Sequence, residues 1–219
     1  MYRPIASRFV GVSRPLSTCF ILLTWMPIWG CSPSTERPEP IPLYAQEQYV
    51  AGMVALHEAR FEEAEKAARE AVAQAPDYVD GQVLLAETLL KQGKTSEAAT
   101  LLDALIERHP HAPAPWTLRG MVHELNGDLP RAQQLYRSAQ ATYDTANLTR
   151  EQAEELAVVS YLALGRLAGF KVLDDAHERF PGDHQLMVTR SQIAQDQRDF
   201  FLQRARPEPP APVTDSSKE

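Results

Sequence analysis

Residues 79–110 read VDGQVLLAETLLKQGKTSEAATLLDALIERHP, and this stretch decides the fold. Apolar residues recur every three or four positions on both sides of Gly93, which is typical of two amphipathic helices joined by a short turn. Pro110 ends the second helix, because proline has no backbone N–H to continue the helical hydrogen-bond ladder. The stretch therefore predicts one helix–turn–helix unit.

The features of this unit return along the chain at a fixed spacing of 34 residues. A fixed period of this length indicates a solenoid of stacked units, in which each unit buries its apolar face against its neighbours. The residues that repeat are Ala64, Ala98 and Ala132, then Pro76 and Pro110, and then Gly93 and Gly127.

This pattern resembles the tetratricopeptide repeat, a helix–turn–helix unit with the same period. Small residues let its two helices approach, and large residues fill the space beside them. The resemblance covers residues 45–181 and implies an all-α, right-handed superhelical solenoid with three regular units and one degraded unit. In the third unit the residues that match the family pattern are Trp116, Gly120, Gly127, Ala132, Tyr136 and Ala139.

The fourth unit is degraded. Tyr161 and Gly165 set the register of its first helix, and Pro181 sets the register of its second helix, which is shifted by one residue relative to the first. Asn147 to Arg150 form an insertion before it. A C-terminal capping helix is expected after it, because the final unit of a solenoid has no neighbour. No segment is predicted to be a strand. The expected helices are 45–58, 61–75, 79–92, 95–109, 113–126, 129–143, 150–164, 167–180 and 183–203.

The N-terminal thirty residues are predicted to be a lipoprotein signal peptide. They carry three arginines and no acid, and an uncharged apolar run precedes Cys31. Such a run is too short for a typical membrane-spanning helix. The residues Ile28 to Cys31 resemble a bacterial lipobox, with Trp29 where a small residue is usual. The resemblance implies that Cys31 is lipidated after cleavage and, because Ser32 follows it, that the protein is anchored to the outer membrane and faces the periplasm. A retained membrane anchor, or an ordinary signal followed by a free cysteine, is the alternative.

The flanks of the repeat domain have a different composition from its body. Residues 31–44 are rich in proline, which favours extended polyproline II and predicts a tether between the lipid and the domain. Residues 206–219 have a similar proline-rich, polar composition and are predicted to be a disordered tail. The repeat domain is therefore expected to span residues 45–205.

Composition and motifs argue against catalysis and against nucleic acid. The chain has a net charge of −7, and an acidic body does not suit a phosphate backbone. The sequence has no phosphate-binding loop, dinucleotide fingerprint, nucleophile elbow or paired metal-ligand motif, so no enzyme activity, metal, cofactor or small-molecule substrate is predicted. The acidic and basic side chains of residues 62–70 are interpreted as a solvated outer helix face.

The surface that remains is the groove that the family resemblance places on the first helix of each pair. We predict that it binds a protein segment, extended or helical, with apolar anchors and a Lys or Arg. The carboxylate clamp of chaperone-binding relatives is absent, because Tyr49 and Met53 stand where its first Lys and Asn belong. The residues predicted to form the binding groove are Tyr49, Met53, Val83, Glu87, Leu90, Lys91, Thr117, Met121 and Glu124.

The sequence therefore predicts a membrane-anchored adaptor or scaffold in the assembly of a cell-envelope complex. The resemblance leaves other readings open. One is a type IV pilus pilotin-like chaperone for a secretin, and another is an accessory maturation chaperone of an enzyme system. A purely structural spacer is the third. Packing of the groove residues between neighbouring helices is the alternative to their direct role in binding.

Overall fold

The computed structural model describes residues 40–209, and every regular element in that range is helical. The all-α array of helix pairs predicted from the sequence is confirmed. The predicted signal peptide, Cys31, most of the tether and residues 210–219 lie outside the described residues. The α-helices are α1 (Leu43–His57), α2 (Phe61–Gln74), α3 (Val79–Lys91), α4 (Thr95–Arg108), α5 (Pro113–Leu125), α6 (Leu129–Ala141), α7 (Arg150–Leu164), α8 (Arg166–Arg179), α9 (His184–Ala194) and α10 (Arg198–Leu202), and a 3₁₀ turn follows at Gln203–Ala205.

The helices pack in consecutive antiparallel pairs, α1 with α2, α3 with α4, α5 with α6 and α7 with α8, and each pair packs on the next. The core is a continuous line of aliphatic and aromatic side chains between the pairs, because each amphipathic helix must bury its apolar face against a neighbour. Its largest fully buried members include Leu84, Leu89, Leu102, Leu105, Leu118, Tyr136, Tyr161, Leu162, Leu173 and Ile193.

The same turn joins the two helices of each regular pair. Its central residue has a positive φ, 57° at Ala59, 75° at Gly93 and 82° at Gly127. The N–H of the following residue then bonds to a carbonyl five residues earlier, as from Lys94 N to Leu89 O at 2.8 Å, which is the Schellman arrangement. Glycine adopts this conformation without steric cost, whereas a residue with a Cβ pays about 1–2 kcal/mol.

Prolines set the ends of the second helices. The residue before each repeat proline leaves the helical region, because the proline ring clashes with a helical conformation at the preceding position. Four-residue connections lead from there to the next helix. The residues that precede the prolines are Ala75 (φ −139°, ψ 83°), His109 (φ −128°, ψ 62°) and Phe180 (φ −124°, ψ 66°).

Glycine also allows close approach within the third pair. A Cβ built on Gly120 of α5 would lie 2.5 Å from Cε1 of Tyr136 on α6, so the ring lies directly on the helix backbone. Tyr136 is fully buried in this position. The small-next-to-large pairing expected from the repeat pattern is therefore present here.

The fourth pair departs from the pattern in two places. The connection between α6 and α7 is eight residues long, covers most of the predicted insertion and ends in a capping box between Thr149 and Gln152. The turn between α7 and α8 consists of Gly165 alone, with φ of 92°. This shortened turn accounts for the shift in register between the two helices of the unit.

The predicted C-terminal helix 183–203 is wrong as a single element. Helix α9 ends at Ala194, and Asp196 has φ of 55°, so the chain forms the same turn as after α1, α3 and α5. Gln197 N bonds back to Gln192 O at 3.0 Å, and the Tyr161 hydroxyl donates to Oδ1 of Asp196 at 2.6 Å. The α9–α10 segment is therefore a fifth helix–turn–helix whose second helix is only five residues long.

Candidate protein-binding groove

A cavity of about 560 Å³ opens on the side of the array where the first helices of the pairs lie next to each other. Each of these helices contributes to its lining, with Met53 on α1, Glu87 on α3, Thr117 on α5, Glu155 on α7 and Gln192 on α9. We call this surface the groove. The register of the repeat places these side chains together, because each comes from the same face of successive first helices.

Five of the nine predicted groove residues line this cavity: Met53, Glu87, Lys91, Thr117 and Met121. Met53 presents the largest surface, with 44% of its area exposed. Thr117 and Met121 contribute little surface, because they are 6% and 1% exposed. The structure therefore brings the predicted residues together, with most of the accessible apolar surface at the α1 side.

The other four predicted residues lie elsewhere. Val83 and Leu90 belong to the buried core, with exposures of 8% and 0%, so the prediction that they form the groove floor is wrong. Tyr49 packs edge-on against Tyr78 with ring centroids 5.4 Å apart, and burial, followed by Asp80, raises its pKa. Val83, Leu90 and Tyr49 therefore pack between neighbouring helices, which was the alternative to a direct role in binding.

Glu124, the last predicted residue, is covered by the chain's own C-terminus. We call residues 198–209 the arm. Arg198 at its start forms an ion pair with Glu124 through the guanidinium nitrogens Nε and Nη2, with Nη2 lying 2.9 Å from Oε2. The Tyr136 hydroxyl donates to the same carboxylate at 2.9 Å, and the Glu124 side chain is only 7% exposed. Burial, followed by the charge of Glu124, raises the pKa of Tyr136.

The rest of the arm crosses the groove towards α3. Arg204 forms an ion pair with Glu87, whose side chain is 13% exposed. The backbone N–H of Glu208 donates to the carbonyl of Lys91 at 3.0 Å, and the Glu208 carboxylate lies 3.7 Å from Nζ of Lys91. Glu208, in the segment that was predicted to begin a disordered tail, is therefore hydrogen-bonded to the last residue of α3.

Apolar contacts hold the middle of the arm. Phe201, Leu202 and Ala205 are 8%, 5% and 2% exposed and belong to the core. The Phe201 ring meets Tyr161 of α7 edge-on at a centroid distance of 5.7 Å. By contrast, Phe200 lines the open part of the cavity and is 51% exposed.

The groove is acidic, and it contains more carboxylates than the arm neutralises. Burial raises the pKa of Glu155, although the Arg204 charge opposes this effect, and the Tyr143 hydroxyl donates to Glu155 at 3.3 Å. Such a site attracts guanidinium and ammonium groups. Among residues 40–209, no cluster of His, Cys, Asp and Glu could hold a metal ion, and no helix is long and apolar enough to span a membrane.

Comparison with known proteins identifies the repeat. A model described as tetratricopeptide repeat matches residues 55–122, which span the last three residues of α1 through most of α5. These residues match the tetratricopeptide repeat, and the helix pairs continue on both sides of them. No curated protein matches the chain.

Comparison with solved structures gives neighbours of low sequence identity. A thermophilic tetratricopeptide repeat protein of Thermus thermophilus has a similar fold, with 21% sequence identity and a TM-score of 0.53, over 73% of this chain and 84% of the other. Pseudomonas aeruginosa pilF has 15% identity and a TM-score of 0.49, over 74% of this chain and 72% of the other. At these identities the likeness concerns the fold alone.

The groove of this tetratricopeptide repeat array includes residues that the sequence analysis did not assign to it. Helix α7 supplies Glu155 and the apolar Val158, and the arm supplies Phe200 and Arg204. The arm carried a signal: Arg198, Phe201, Leu202 and Ala205 have the i, i+3, i+4, i+7 spacing of a helix that binds in a groove. The direction in which it folds is a tertiary property that this spacing does not specify.

Proposed function

We propose that this chain is a non-catalytic scaffold, anchored to the outer membrane through Cys31, that binds a segment of another protein in its groove during assembly of a cell-envelope complex. Tetratricopeptide repeat folds in general act as scaffolds for protein–protein interaction, which supports a binding role. The partner segment is helical or extended, with apolar anchors and a Lys or Arg.

The observation that carries the proposal is the open part of the groove. Met53 and Phe200 expose 44% and 51% of their surface in one cavity, next to the carboxylates of Glu154 and Glu155. Glu154 already pairs with Arg150, whereas Glu155 accepts its hydrogen bond from the uncharged Tyr143 hydroxyl. An exposed apolar patch beside such a carboxylate favours a partner with an apolar side chain near a cationic one. Methionine adapts to different apolar shapes, which suits a peptide-binding surface.

The tether supports the proposed anchor. Helix α1 begins at Leu43, and the proline-rich stretch from Cys31 leads directly to it. In a polyproline II conformation, with about 3.1 Å per residue, this stretch would hold the array up to roughly 40 Å from the lipid. Several acyl chains on one cysteine would give durable anchoring, because each buried methylene contributes about 0.8 kcal/mol.

The anchor is tested by fractionation of the wild-type protein and the Cys31→Ser variant, with mass spectrometry of the mature N-terminus. We expect the wild type in the outer-membrane fraction with a lipid-modified Cys31, and the variant released from it. A Cys31→Ser variant that stays in the membrane, or a mature chain that retains residues 1–30, would contradict the lipoprotein assignment.

The groove is tested by capture from detergent-solubilised envelopes with wild type, Met53→Asp and Met187→Asp. Met187 is the matched control, because it is 50% exposed on α9 but does not line the cavity. We expect Met53→Asp to reduce capture of the partner about tenfold, as expected when a methionine contact of about 1.5 kcal/mol is lost. Equal capture by all three proteins would refute binding in the groove. The identity of the captured protein separates the pilotin-like and enzyme-maturation alternatives.

A further inference from the structure

The arm occupies the groove in the way expected of a bound partner. Arg198, Phe201, Leu202 and Ala205 face the array at the i, i+3, i+4, i+7 spacing that helical peptides use in apolar grooves. Arg204 then reaches Glu87, which lies 117 residues earlier in the chain. Two of the three arginines of the arm, Arg198 and Arg204, thus lie on either side of an apolar centre, which is the chemistry predicted for a partner.

Two carboxylates hold the arm, Glu87 in the groove and Glu124 on α5 outside its lining, and both are nearly buried and depend on guanidinium partners. Glu124 and Glu87 retain 7% and 13% of their side-chain exposure, and Arg198 and Arg204 provide their ion pairs. A buried carboxylate without a counter-charge is costly, so an occupant that replaces the arm must bring cations to the same two places. This requirement fixes the spacing of the partner's cationic groups, which a generally acidic surface would not do.

The arm is attached so that it can leave without unfolding the array. Within the described range, the backbone hydrogen bond from Glu208 to Lys91 is the one that links the arm's main chain to α1–α9 beyond the turn at residues 195–197. Most of its other contacts come from side chains. The turn before the arm has Asp196 at a positive φ, where a non-glycine residue is strained. Release of the arm therefore removes α10 and its core side chains from the array but breaks no backbone hydrogen bond within α1–α9.

The open cavity next to the arm gives a partner an advantage over it. Met53 of α1 remains 44% exposed while the arm is docked, so a longer segment gains an apolar contact that the arm does not make. A segment that matches the arm's anchors and extends over this cavity would bind more favourably than the arm itself.

We propose that the arm is an intramolecular occupant of the partner site, and that the partner is a helical segment carrying the arm's pattern of Arg, two adjacent apolar residues and a second Arg, which displaces it. This inference rests on the proposed function, because it specifies the chemistry of the partner segment. A docked arm lowers the apparent affinity for the partner by the fraction of molecules in which the groove is open.

The probe for the test is a fluorescein-labelled peptide with the sequence of residues 197–209, titrated by fluorescence anisotropy against the full chain. Arg204→Glu places two carboxylates together at Glu87 and releases the arm. We expect it to bind the peptide at least about tenfold more tightly than wild type, because the open fraction rises. Arg190→Glu is the matched control: its side chain is 47% exposed, against 48% for Arg204, and it pairs with Asp174 outside the groove.

A charge exchange makes the test specific. The double variant Glu87→Arg with Arg204→Glu restores the ion pair within the chain, so its peptide affinity should fall back to the wild-type value or below. If Arg204→Glu loses helical circular dichroism, Arg204→Ala, which adds no like charge, is judged by the same criterion. Equal peptide affinity in the released-arm variant, wild type and Arg190→Glu would overturn the proposal, as would a dimer of the wild type formed by exchange of arms.

The result is independent of the capture experiment described above. Tight peptide binding without any groove-dependent envelope partner would sustain the arm's role and refute the proposed function. Groove-dependent capture that an excess of the peptide does not reduce would leave the scaffold function standing and refute the partner chemistry inferred here.

Discussion

The contact between Gly120 and Tyr136 gives the sharpest test of how the helices of a pair pack. In Gly120→Ala the new Cβ would lie 2.5 Å from Cε1 and 2.7 Å from Cδ1 of the Tyr136 ring, far inside ordinary contact. The ring or the helix must retreat by roughly 1 Å, and a close-packed interior resists such a shift. Tyr136 has little freedom to move, because it is fully buried and its hydroxyl is bonded to Glu124.

The expected loss of stability follows from two opposing effects. Overpacking costs up to about 3 kcal/mol, whereas replacing glycine by alanine inside a helix returns about 1 kcal/mol. We therefore expect Gly120→Ala to lower the free energy of unfolding by about 2 kcal/mol, and the melting temperature by roughly 4–8 °C for a domain of this size. Urea denaturation followed by circular dichroism measures the first value directly.

Gly52→Ala is the matched comparison, because Gly52 occupies the equivalent place in the first unit. Its new Cβ would lie 2.9 Å from Cδ2 of Leu84, the end of a flexible side chain, so the cost should be clearly smaller. In a Tyr136→Leu background the penalty of Gly120→Ala should largely disappear. A penalty that is unchanged in that background, or absent from Gly120→Ala altogether, would refute the packing argument.

Three further predictions concern turns, charges and caps. Ala59→Gly should raise the free energy of unfolding by about 1 kcal/mol, and Gly93→Ala should lower it by about 1–2 kcal/mol, because both residues have positive φ. Thermal denaturation should therefore show melting temperatures that change in opposite directions, and changes in the same direction would contradict the prediction. The hydrogen bond from Lys94, 2.7 Å long, lowers the pKa of Glu65 below its ordinary value of 4.5, so its stabilisation is present above pH 4.5 and is lost as the pH falls through the folded-state pKa. The stability difference between wild type and Glu65→Gln should shrink on acidification, and a difference that grows would refute this. Thr149→Ala removes a capping hydroxyl and should cost about 1 kcal/mol in denaturant unfolding, and no loss would show that the cap is dispensable.

The regular units were predictable because their signals are local. Proline after residues 75 and 109 excludes a helical conformation at those residues, and glycine at 93 and 127 supplies the left-handed turn without strain. The boundaries of the first six helices were therefore predicted to within about two residues of the observed ones. Tertiary context adds little to such positions.

The C-terminal end was less predictable because its turn has no glycine or proline. Asp196 adopts a positive φ, which aspartate does more readily than most residues but too rarely to mark a turn by itself. Its hydrogen bond with Tyr161, 35 residues away, supports the conformation and exists only after folding. The periodic apolar residues on either side therefore predicted one continuous helix.

The groove was predictable in position but not in occupancy. The repeat register correctly brought Met53 and Glu87 to one cavity, because equivalent positions of successive first helices share a face. Whether Leu90 is exposed or buried depends on neighbours that the register does not specify. The partner chemistry inferred from the sequence, apolar anchors with a cation, is present in the arm, and the side of the array on which the arm docks required the structure.

Hydrogen exchange of the arm in the wild-type full chain tests the central claim most directly. If the arm occupies the groove, backbone amides of residues 198–208 exchange more slowly than in the free peptide, and the Arg204→Glu variant loses this protection while α2 to α6 keep theirs. Arm amides that exchange at the rate of the free peptide in the wild type would contradict the account, because Glu87 and Glu124 would then lack their ion pairs with Arg204 and Arg198.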